Sequence, residues 1–332
     1  MGQPDGRAWV GRALKAAPGA PELIRAMALF GAGMLAENAL DYDQALVHLR
    51  KALAISHAVG VRALEGWALM AMGRAAWAID VDTRPAAAWF EDALRIFREV
   101  DEPAGIGWML TFLADERLIA GDLEGAASGA AEALDVSTRS GLLQIVGESR
   151  RVLATVAAAR GQHADAARLL QEAAAAHEQT GDCWASAMIL TLTTWLTFGR
   201  GDDARALGPL RQALRLAHDS GSGERMRHAV ELAAYFLHQR GRAREGATLV
   251  GAIDAACLRL PRMREQWRSL PLGWPVGFAQ LASGSGFEGL ASVVSAGFNE
   301  HRVAGRSLSL EHAADLALRV LDEELSLAGA SG

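Results

Sequence analysis

Cysteine and lysine are both scarce in this chain of 332 residues. The two cysteines, Cys183 and Cys257, lie far apart, so the sequence offers no thiol pair at metal-binding or redox spacing and no disulfide framework. The two lysines, Lys15 and Lys51, leave arginine to supply almost all of the positive charge. This cysteine usage fits a reducing cytoplasm and excludes a small secreted domain that depends on disulfides.

Long apolar runs and long basic runs are also missing. No run of about 18 apolar residues occurs, and the N-terminal residues lack the apolar core of a signal peptide. The 33 basic and 39 acidic residues are spread along the whole chain and give a net charge of -6. The sequence therefore predicts a soluble, cytoplasmic protein that neither enters a membrane nor binds nucleic acid directly.

What the chain does contain is small and apolar residues in a regular order. Hydrophobic residues make up 51% of it, which is enough for a large core. Small residues recur in three series at steps of 40 or 41 residues, which indicates an internal repeat. The first series is Ala45, Ala86, Ala126, Ala166, Ala206 and Gly246. The second lies upstream at Gly33, Gly73, Ala114, Ala154, Thr194 and Ala234, and the third lies downstream at Ala52, Ala93, Ala133, Ala173 and Ala213.

Each repeat is predicted to be a pair of helices. An Ala/Leu-rich stretch of about 18 residues, a tight turn and a second amphipathic stretch make one unit. Small residues suit the crossing of the two helices, because a larger side chain would push the axes apart. Strand-type alternation is essentially missing, so the class is an all-α solenoid. Between units the punctuation falls at the same period, at Gly60, Asp101, Gly141, Gly181, Gly221 and Pro261.

The three series of small residues resemble the tetratricopeptide pattern, in a variant about six residues longer than the usual 34. A HEAT-type repeat has a similar period but lacks the triple small-residue signature. The resemblance implies an all-α, right-handed superhelical solenoid of helical hairpins with repeats of about 40 residues. Residues 5–258 would form this array, as a half repeat over 5–17 and then six repeats. Residues 259–332 would form a C-terminal helical capping region.

The end of the chain narrows the resemblance. The segment GRSLSLE at 305–311 and the run 313–318 are similar to the close of the helical arrays in bacterial signal-transduction ATPases and LuxR-type regulators. Members of that family carry an ATPase module, whose signature GxxxxGK[ST] is absent here. They often end in a DNA-binding helix-turn-helix, for which this chain has no room. Residues 262–297 depart from the family pattern.

The resemblance also implies a binding surface, because first helices line the concave groove of tetratricopeptide arrays. Groove residues are then counted from the small residue of each first helix. They are Trp67, Met70, Arg74, Trp77, Trp108, Asp115, Glu148, Arg151, Trp195, His228, Glu231 and Tyr235. Aromatic faces supply contact area, and arginine or carboxylate groups fix the orientation of a ligand. Tryptophans at helical spacing are also typical of the core between repeats, and both interpretations stay open.

Two short motifs match known signatures without their context. Gly284, Gly286 and Gly289 spell GxGxxG, but no strand leads into them, so a dinucleotide site is not expected. Residues 200–202 spell the cell-adhesion tripeptide RGD, yet they fall in the predicted turn of the fifth unit.

Candidates for metal binding and catalysis are weak. His228, Glu231 and His238 share one helix face, but no further strong ligand is evident. Asp115 and Glu148, in adjacent units, form the only carboxylate pair to which catalysis could be assigned. We therefore expect no metal, no cofactor and no enzymatic activity.

The N-terminal half repeat raises a separate question. Half a repeat cannot bury its own apolar stripe, here Trp9, Val10 and Leu14. Either the chain is cut from a longer one, or this helix is a natural cap or a docking edge. The last interpretation predicts a homodimer through this edge, with Trp9 buried.

The function predicted from all of these features is that of a non-catalytic sensor or protein-interaction module of a bacterial signal-transduction or transcription regulator. A protein partner or a small-molecule effector would bind in the concave groove. The alternative is a stand-alone small-molecule-binding protein or an enzyme that uses the aromatic groove.

Overall fold

The computed structural model describes residues 6–17, 19–39, 41–79, 84–198, 203–220, 223–258 and 296–330. Within these ranges the chain forms fifteen α-helices and no strand. Helix α1 covers Gly6–Ala16, and six helical hairpins follow, which we call units one to six. The first helices of the units are α2 (Glu22–Asn38), α4 (Arg62–Ile79), α6 (Pro103–Ile119), α8 (Leu143–Ala159), α10 (Cys183–Phe198) and α12 (Gly223–Gln239). The second helices are α3 (Tyr42–Ala58), α5 (Arg84–Glu99), α7 (Leu123–Arg139), α9 (His163–Thr180), α11 (Asp203–Asp219) and α13 (Ala243–Leu258).

Two more helices, α14 (Ala296–Gly305) and α15 (Leu310–Ala330), follow the array. The prediction of an all-α array of helical hairpins is therefore confirmed. The boundary between the array and a capping region at 259 stays a prediction, because residues 259–295 lie outside the described part of the chain. The GxGxxG motif at 284–289 and the tripeptide at 200–202 lie outside it as well.

Left-handed backbone conformations end helices at the predicted punctuation from Gly60 to Gly181, and the predicted positions Gly221 and Pro261 lie outside the described residues. The φ angle is +72° at Gly60 and +67° at Gly141, where glycine carries no steric penalty. Asp101 takes the same place after unit two, with φ of 53°, at a cost of about 1 kcal/mol for a residue with a side chain. Inside unit three, Asp122 caps α7 by accepting a hydrogen bond from the Gly125 amide at 2.8 Å.

The small residues lie where the two helices of a unit cross. A Cβ atom added at Gly33 would lie 2.6 Å from the Leu49 side chain, and one at Gly73 would overlap the Phe90 ring. Ala45 and Ala86, on the facing second helices, are fully buried. Close approach of the axes at these positions explains why the repeat keeps small residues there.

Contacts between units join mainly the second helix of one unit to the first helix of the next, as in α3 with α4 and α7 with α8. Each first helix also contacts the next first helix along the chain, from α2 to α12. The ring of Phe97 packs on Gly66 in its own unit and on Gly105 in the next. Each unit therefore buries its apolar stripe against both neighbours, as in other solenoids.

Two glycines set the docking of α14 on α13. Gly251 and Gly305 lie so close to the backbone of the facing helix that neither position has room for a Cβ. Beside them, the Arg302 guanidinium donates to both carboxylate oxygens of Asp254, at 2.7 and 2.9 Å. The close approach of the two backbones explains why the GRSLSLE segment begins with a glycine, Gly305.

Helix α15 folds back over units five and six, where it contacts α11, α12 and α13. Arg242 donates to Glu323 at 2.9 Å and to Glu324 at 3.0 Å, and Ala313, Ala317 and Leu321 are fully buried. The described part of the C-terminal region is therefore joined to the core of the last two units. No helix of the described residues is both long and apolar enough to cross a bilayer.

Candidate functional site

The predicted groove residues occupy a few positions that recur on the first helices. Around Gly73 they are Trp67, Met70, Arg74 and Trp77, which share a helix face because of the 3.6-residue period. The same face contacts the neighbouring first helix. Arg74 Nη2 of α4 lies 2.7 Å from a carboxylate oxygen of Glu37 on α2. The predicted row is thus also the contact line between successive first helices.

Three predicted residues form one ionic cluster between units three and four. Arg151 Nη2 lies 2.5 Å from Asp115 Oδ2, and its Nε lies 2.7 Å from Glu148 Oε2. Glu148 and Arg151 are one turn apart on α8, whereas Asp115 comes from α6. All three side chains are buried. We call these residues, together with His177, the central cluster.

His177 is the member that sequence reasoning missed. It lies near the end of α9, is 0% exposed, and places Nε2 3.4 Å from Glu148 Oε1. Its ring packs against Gly147 of α8. The repeat contained a signal, because the equivalent residues of units two and three, Phe97 and Ser137, are also fully buried. A histidine at a position that packs into the core of other units identifies a buried polar group.

The charges of the central cluster stabilise one another. Burial alone would raise the pKa of Glu148, but the positive charge of Arg151 and the neighbouring His177 outweigh it and lower this pKa to about 2. Burial alone would lower the pKa of Arg151, yet the carboxylates of Asp115 and Glu148 raise it above its usual value. Glu148 and the Arg151 guanidinium are therefore both ionised at neutral pH.

The contact between His177 and Glu148 is electrostatic rather than a well-formed hydrogen bond. Within the described residues, Glu148 Oε1 and both ring nitrogens of His177 are buried without a hydrogen-bond partner. Buried polar atoms without a hydrogen-bond partner lower the stability of the folded state. Since both carboxylates already bind Arg151 away from solvent, the geometry fits a contact that sets the alignment of α6, α8 and α9.

A second group of predicted residues forms an aromatic cluster in units two and three. Trp108 stacks on Phe112 with ring centroids 5.5 Å apart, and Trp77 contacts Phe112 at 6.4 Å. The rings of Trp67 and Phe97 lie 4.8 Å apart. The three tryptophans are only half-buried. They contribute to the core between repeats and still present part of their surface to solvent.

In units five and six, the predicted aromatic residues are buried rather than half-exposed. The rings of Trp195 and Tyr235 lie 5.7 Å apart, and both residues are buried. Glu231 is fully buried and accepts from Arg227 Nη1 at 3.2 Å. His228 is half-buried and also contacts Arg227. Among the described residues, which include His228, Glu231 and His238, no three His, Cys, Asp or Glu side chains lie close enough together to hold a metal ion.

Solvent exposure divides the predicted site residues into two sets. Met70, Asp115, Glu148, Arg151, Trp195, Glu231 and Tyr235 are buried. Those with partial exposure are Trp67, Arg74, Trp77, Trp108 and His228. Four of these five lie in units two and three, and we call those four residues the aromatic surface. Whether they bind a ligand stays a prediction.

Comparison with known proteins supports the fold. No protein-family model matches the chain, and no curated protein sequence matches it. A solved structure that does match is that of a Signal Transduction ATPase with Numerous Domains from Pyrococcus horikoshii, which is described as having a tetratricopeptide repeat sensor. The identity is 16%, the match covers 84% of this chain and 40% of that one, and the TM-score is 0.50. This chain thus spans less than half of that protein, and the likeness shows the fold alone.

A second solved structure in the comparison is a circular tandem repeat protein with a novel repeat topology. It covers 97% of this chain and 90% of its own at 16% identity, but its TM-score is 0.22, which is too low to support a shared fold. The resemblance to tetratricopeptide arrays is therefore confirmed at the level of architecture by the first match.

Proposed function

We propose that the protein is a sensor or protein-interaction module of the tetratricopeptide type, and that a partner segment binds to the aromatic surface of units two and three. One observation carries the proposal. Of the twelve predicted groove residues, the four that keep partial exposure in adjacent units are Trp67, Arg74, Trp77 and Trp108. Aromatic and arginine side chains of this kind dominate the binding energy of protein interfaces.

The aromatic surface is also held rigid before a partner arrives. Trp77 and Trp108 are fixed by contacts with the Phe112 ring, and Arg74 is fixed by its ion pair with Glu37. A side chain that is already ordered loses less conformational entropy on binding. Rigid anchors therefore favour recognition of a partner over a purely structural role.

The proposed setting is a bacterial signal-transduction or transcription regulator, in the cytoplasm and without catalytic activity or a cofactor. Two features support it: the GRSLSLE segment at 305–311 and the likeness to the Pyrococcus horikoshii protein, which is described as having a tetratricopeptide repeat sensor. Because each repeat touches only its neighbours, a ligand that spans several units would change the pitch of the array and bias whatever is attached to it.

A small-molecule effector is the second candidate, since the same stacked rings and fixed arginine suit an aromatic or anionic compound. Native mass spectrometry of the purified protein separates the two candidates. A discrete additional mass that Trp108→Ala removes would identify a small effector. A clean mass of the chain alone favours a protein partner, and the same spectrum reports the number of subunits.

The binding test compares tryptophans that are matched in exposure. Trp67→Ala and Trp108→Ala change the aromatic surface, whereas Trp89→Ala removes a half-buried tryptophan of α5, on a second helix. Loss of the bound mass or partner in the first two variants, with retention in the third, supports the proposal. Equal behaviour of all three variants contradicts it.

A further inference from the structure

One face of the first helix is fully covered in unit six and partly open in unit five. In unit six this face consists of Val230, Ala233 and Leu237, which lie on one side of α12 because of their spacing and are each 0% exposed. The equivalent residues of α10 lie 40 positions earlier and are all half-buried: Leu190, Thr193 and Thr197. A unit of this array thus folds with this face partly open.

Helix α15 accounts for the difference between the two units. The other helices that contact α12 are α10, α11 and α13, and their counterparts α8, α9 and α11 all contact α10. Helix α15 is the additional helix on α12. The sequence agrees with this cover, because two threonines of unit five correspond to Ala233 and Leu237 in unit six.

Helix α15 is docked with little apolar area. Three of its four fully buried residues are alanines, Ala313, Ala314 and Ala317, and the fourth is Leu321. An alanine side chain removes much less apolar surface from water than a leucine or phenylalanine side chain. Apolar contact therefore stabilises the docking of α15 less than it stabilises a helix that buries large side chains.

Charge supplies the rest of the contact. Arg211 of α11 pairs with Asp322, and Arg242, in the turn before α13, donates to Glu323 at 2.9 Å and to Glu324 at 3.0 Å. The side chains of Asp322 and Glu323 are 46% and 60% exposed. Ion pairs at this exposure contribute little to stability and are screened by salt. The contact is thus specific in its charges but not strong.

The array supplies two kinds of residue to this contact. Val230, Ala233 and Leu237 form an apolar face, and Arg211 and Arg242 add positive charge from the neighbouring helix and turn. We call these five residues the unit-six surface. An acidic helix with small apolar residues is complementary to it in charge and in shape.

We infer that α15 is an exchangeable occupant of the unit-six surface, and that an acidic amphipathic helix of a partner protein takes its place. Helix α15 itself defines the chemistry of that partner. The partner helix needs carboxylates that pair with Arg211 and Arg242, and small residues that allow its backbone to approach α12 closely. Because the unit-six surface is apolar where unit five has threonines, release of α15 is coupled to binding of the other helix.

The first test loosens α15 in the full chain. The double variant Asp322→Lys with Glu323→Lys reverses two exposed carboxylates and leaves the buried Glu324 in place. Hydrogen exchange of residues 310–327 should become at least tenfold faster, with α12 and α13 unchanged. The matched control is Glu132→Lys with Asp135→Lys, which reverses two exposed, ion-paired carboxylates of α7 and should leave the exchange of α15 unchanged.

The second test supplies an acidic helix in trans. The probe is a fluorescein-labelled peptide with the sequence of residues 309–327, and fluorescence anisotropy measures its binding. The Asp322→Lys, Glu323→Lys chain should bind this peptide at least tenfold more tightly than the original chain or the α7 control, because its own α15 competes less. A peptide that carries the same two lysines should bind that chain at least tenfold more weakly, and salt at about 0.5 M should weaken binding of the unmodified peptide.

Three results would overturn the inference. Loss of protection in α12 and α13 together with α15 would make α15 a fixed part of the core. Absent peptide binding, or equal affinity for the original and the Asp322→Lys, Glu323→Lys chains, would show that α15 is not exchanged. A native dimer of the original chain that this double variant converts to a monomer would assign the unit-six surface to α15 of a second copy. Since Trp108→Ala should leave peptide binding unchanged, the inference holds or fails independently of the aromatic surface.

Discussion

The imidazole ring of His177 lies directly on Gly147, so closely that a Cβ atom at position 147 would overlap ring nitrogen Nε2. In unit two the equivalent pair is Phe97 on Gly66. The same space between a first and a second helix is thus filled by a phenyl ring in one unit and by an imidazole ring in another. The imidazole ring, unlike the phenyl ring, carries polar atoms into this space, and in unit four it places Nε2 next to Glu148.

The pair predicts a coupled response to mutation. Gly147→Ala should lower the free energy of unfolding by about 1–3 kcal/mol, because the methyl group forces the imidazole out of its position. His177→Ser, which copies Ser137 of unit three, opens the same space. Urea unfolding of both single variants and the double variant should show that their effects are not additive.

A control for helix propensity is Gly31→Ala, since nothing lies within 4 Å of a Cβ added at Gly31. That variant should be more stable than the original chain by about 0.5–1 kcal/mol. If Gly147→Ala stabilises the protein as Gly31→Ala does, that result contradicts the close packing of His177 on Gly147.

Arg151→Met tests the ionic part of the central cluster. The variant leaves Asp115 and Glu148 buried without their cation, which typically costs about 3–5 kcal/mol. Replacement of all three residues by apolar side chains of similar volume should recover most of this loss, because it removes the unpaired charges. Urea unfolding midpoints followed by circular dichroism measure both effects.

The matched control for that variant is Arg95→Met, which removes an arginine from the exposed ion pairs with Asp92 and Glu99. Exposed pairs contribute little, so its unfolding midpoint should scarcely move. Equal midpoints for Arg151→Met and Arg95→Met would show that the buried cluster does not stabilise the array.

Glu148 gives the stability of the protein a defined dependence on pH. Its pKa is about 2 in the folded protein against an ordinary value of 4.5, so its ionised form stabilises the fold at pH values above 4.5. This contribution is lost as the pH falls from 4.5 toward 2. The difference in unfolding free energy between the original chain and Glu148→Gln should be largest at pH 7, at about 3 kcal/mol, and should shrink at pH 3. A difference that is the same at pH 7 and pH 3 would contradict the ionised state of Glu148.

Docking of α14 depends on the close approach of two backbones. Gly305→Leu should separate α14 from α13 and break the ion pair between Arg302 and Asp254, because position 305 has no room for a side chain. Hydrogen exchange of residues 296–305 should then become faster, with units one to three unchanged. Val303→Ala, which alters an exposed side chain of the same helix, should exchange like the original chain.

Most of the fold could be predicted from the sequence, because the residues at helix crossings and at the ends of units recur at a fixed period. Ala45 and Ala86 mark the crossings, and the left-handed positions at Gly60 and Asp101 mark the ends of units, each at the same period. The docking of α15 back over units five and six could not be predicted. It depends on pairings such as Arg242 with Glu324, which join the array to a helix that is not one of its repeats.

The candidate site was predicted only in part. Counting from the small residues selected Arg74 and Arg151 alike, since both lie on the same face of a first helix. The structure separates them, because Arg74 keeps partial exposure beside Glu37 whereas Arg151 is enclosed by Asp115, Glu148 and the helices around them. Exposure depends on the side chains of neighbouring units, which a helix-by-helix count does not include.

The sequence by itself determined the period, the helix pairs and the row of first-helix residues that face other units. These follow from local rules on helix periodicity, turns and close packing of small residues. Only the tertiary structure decided which of these positions are buried from solvent. Ile24 and Ile145 are the same residue at the same place in the repeat, yet one is bare and the other buried, because burial is a property of the neighbours and not of the residue.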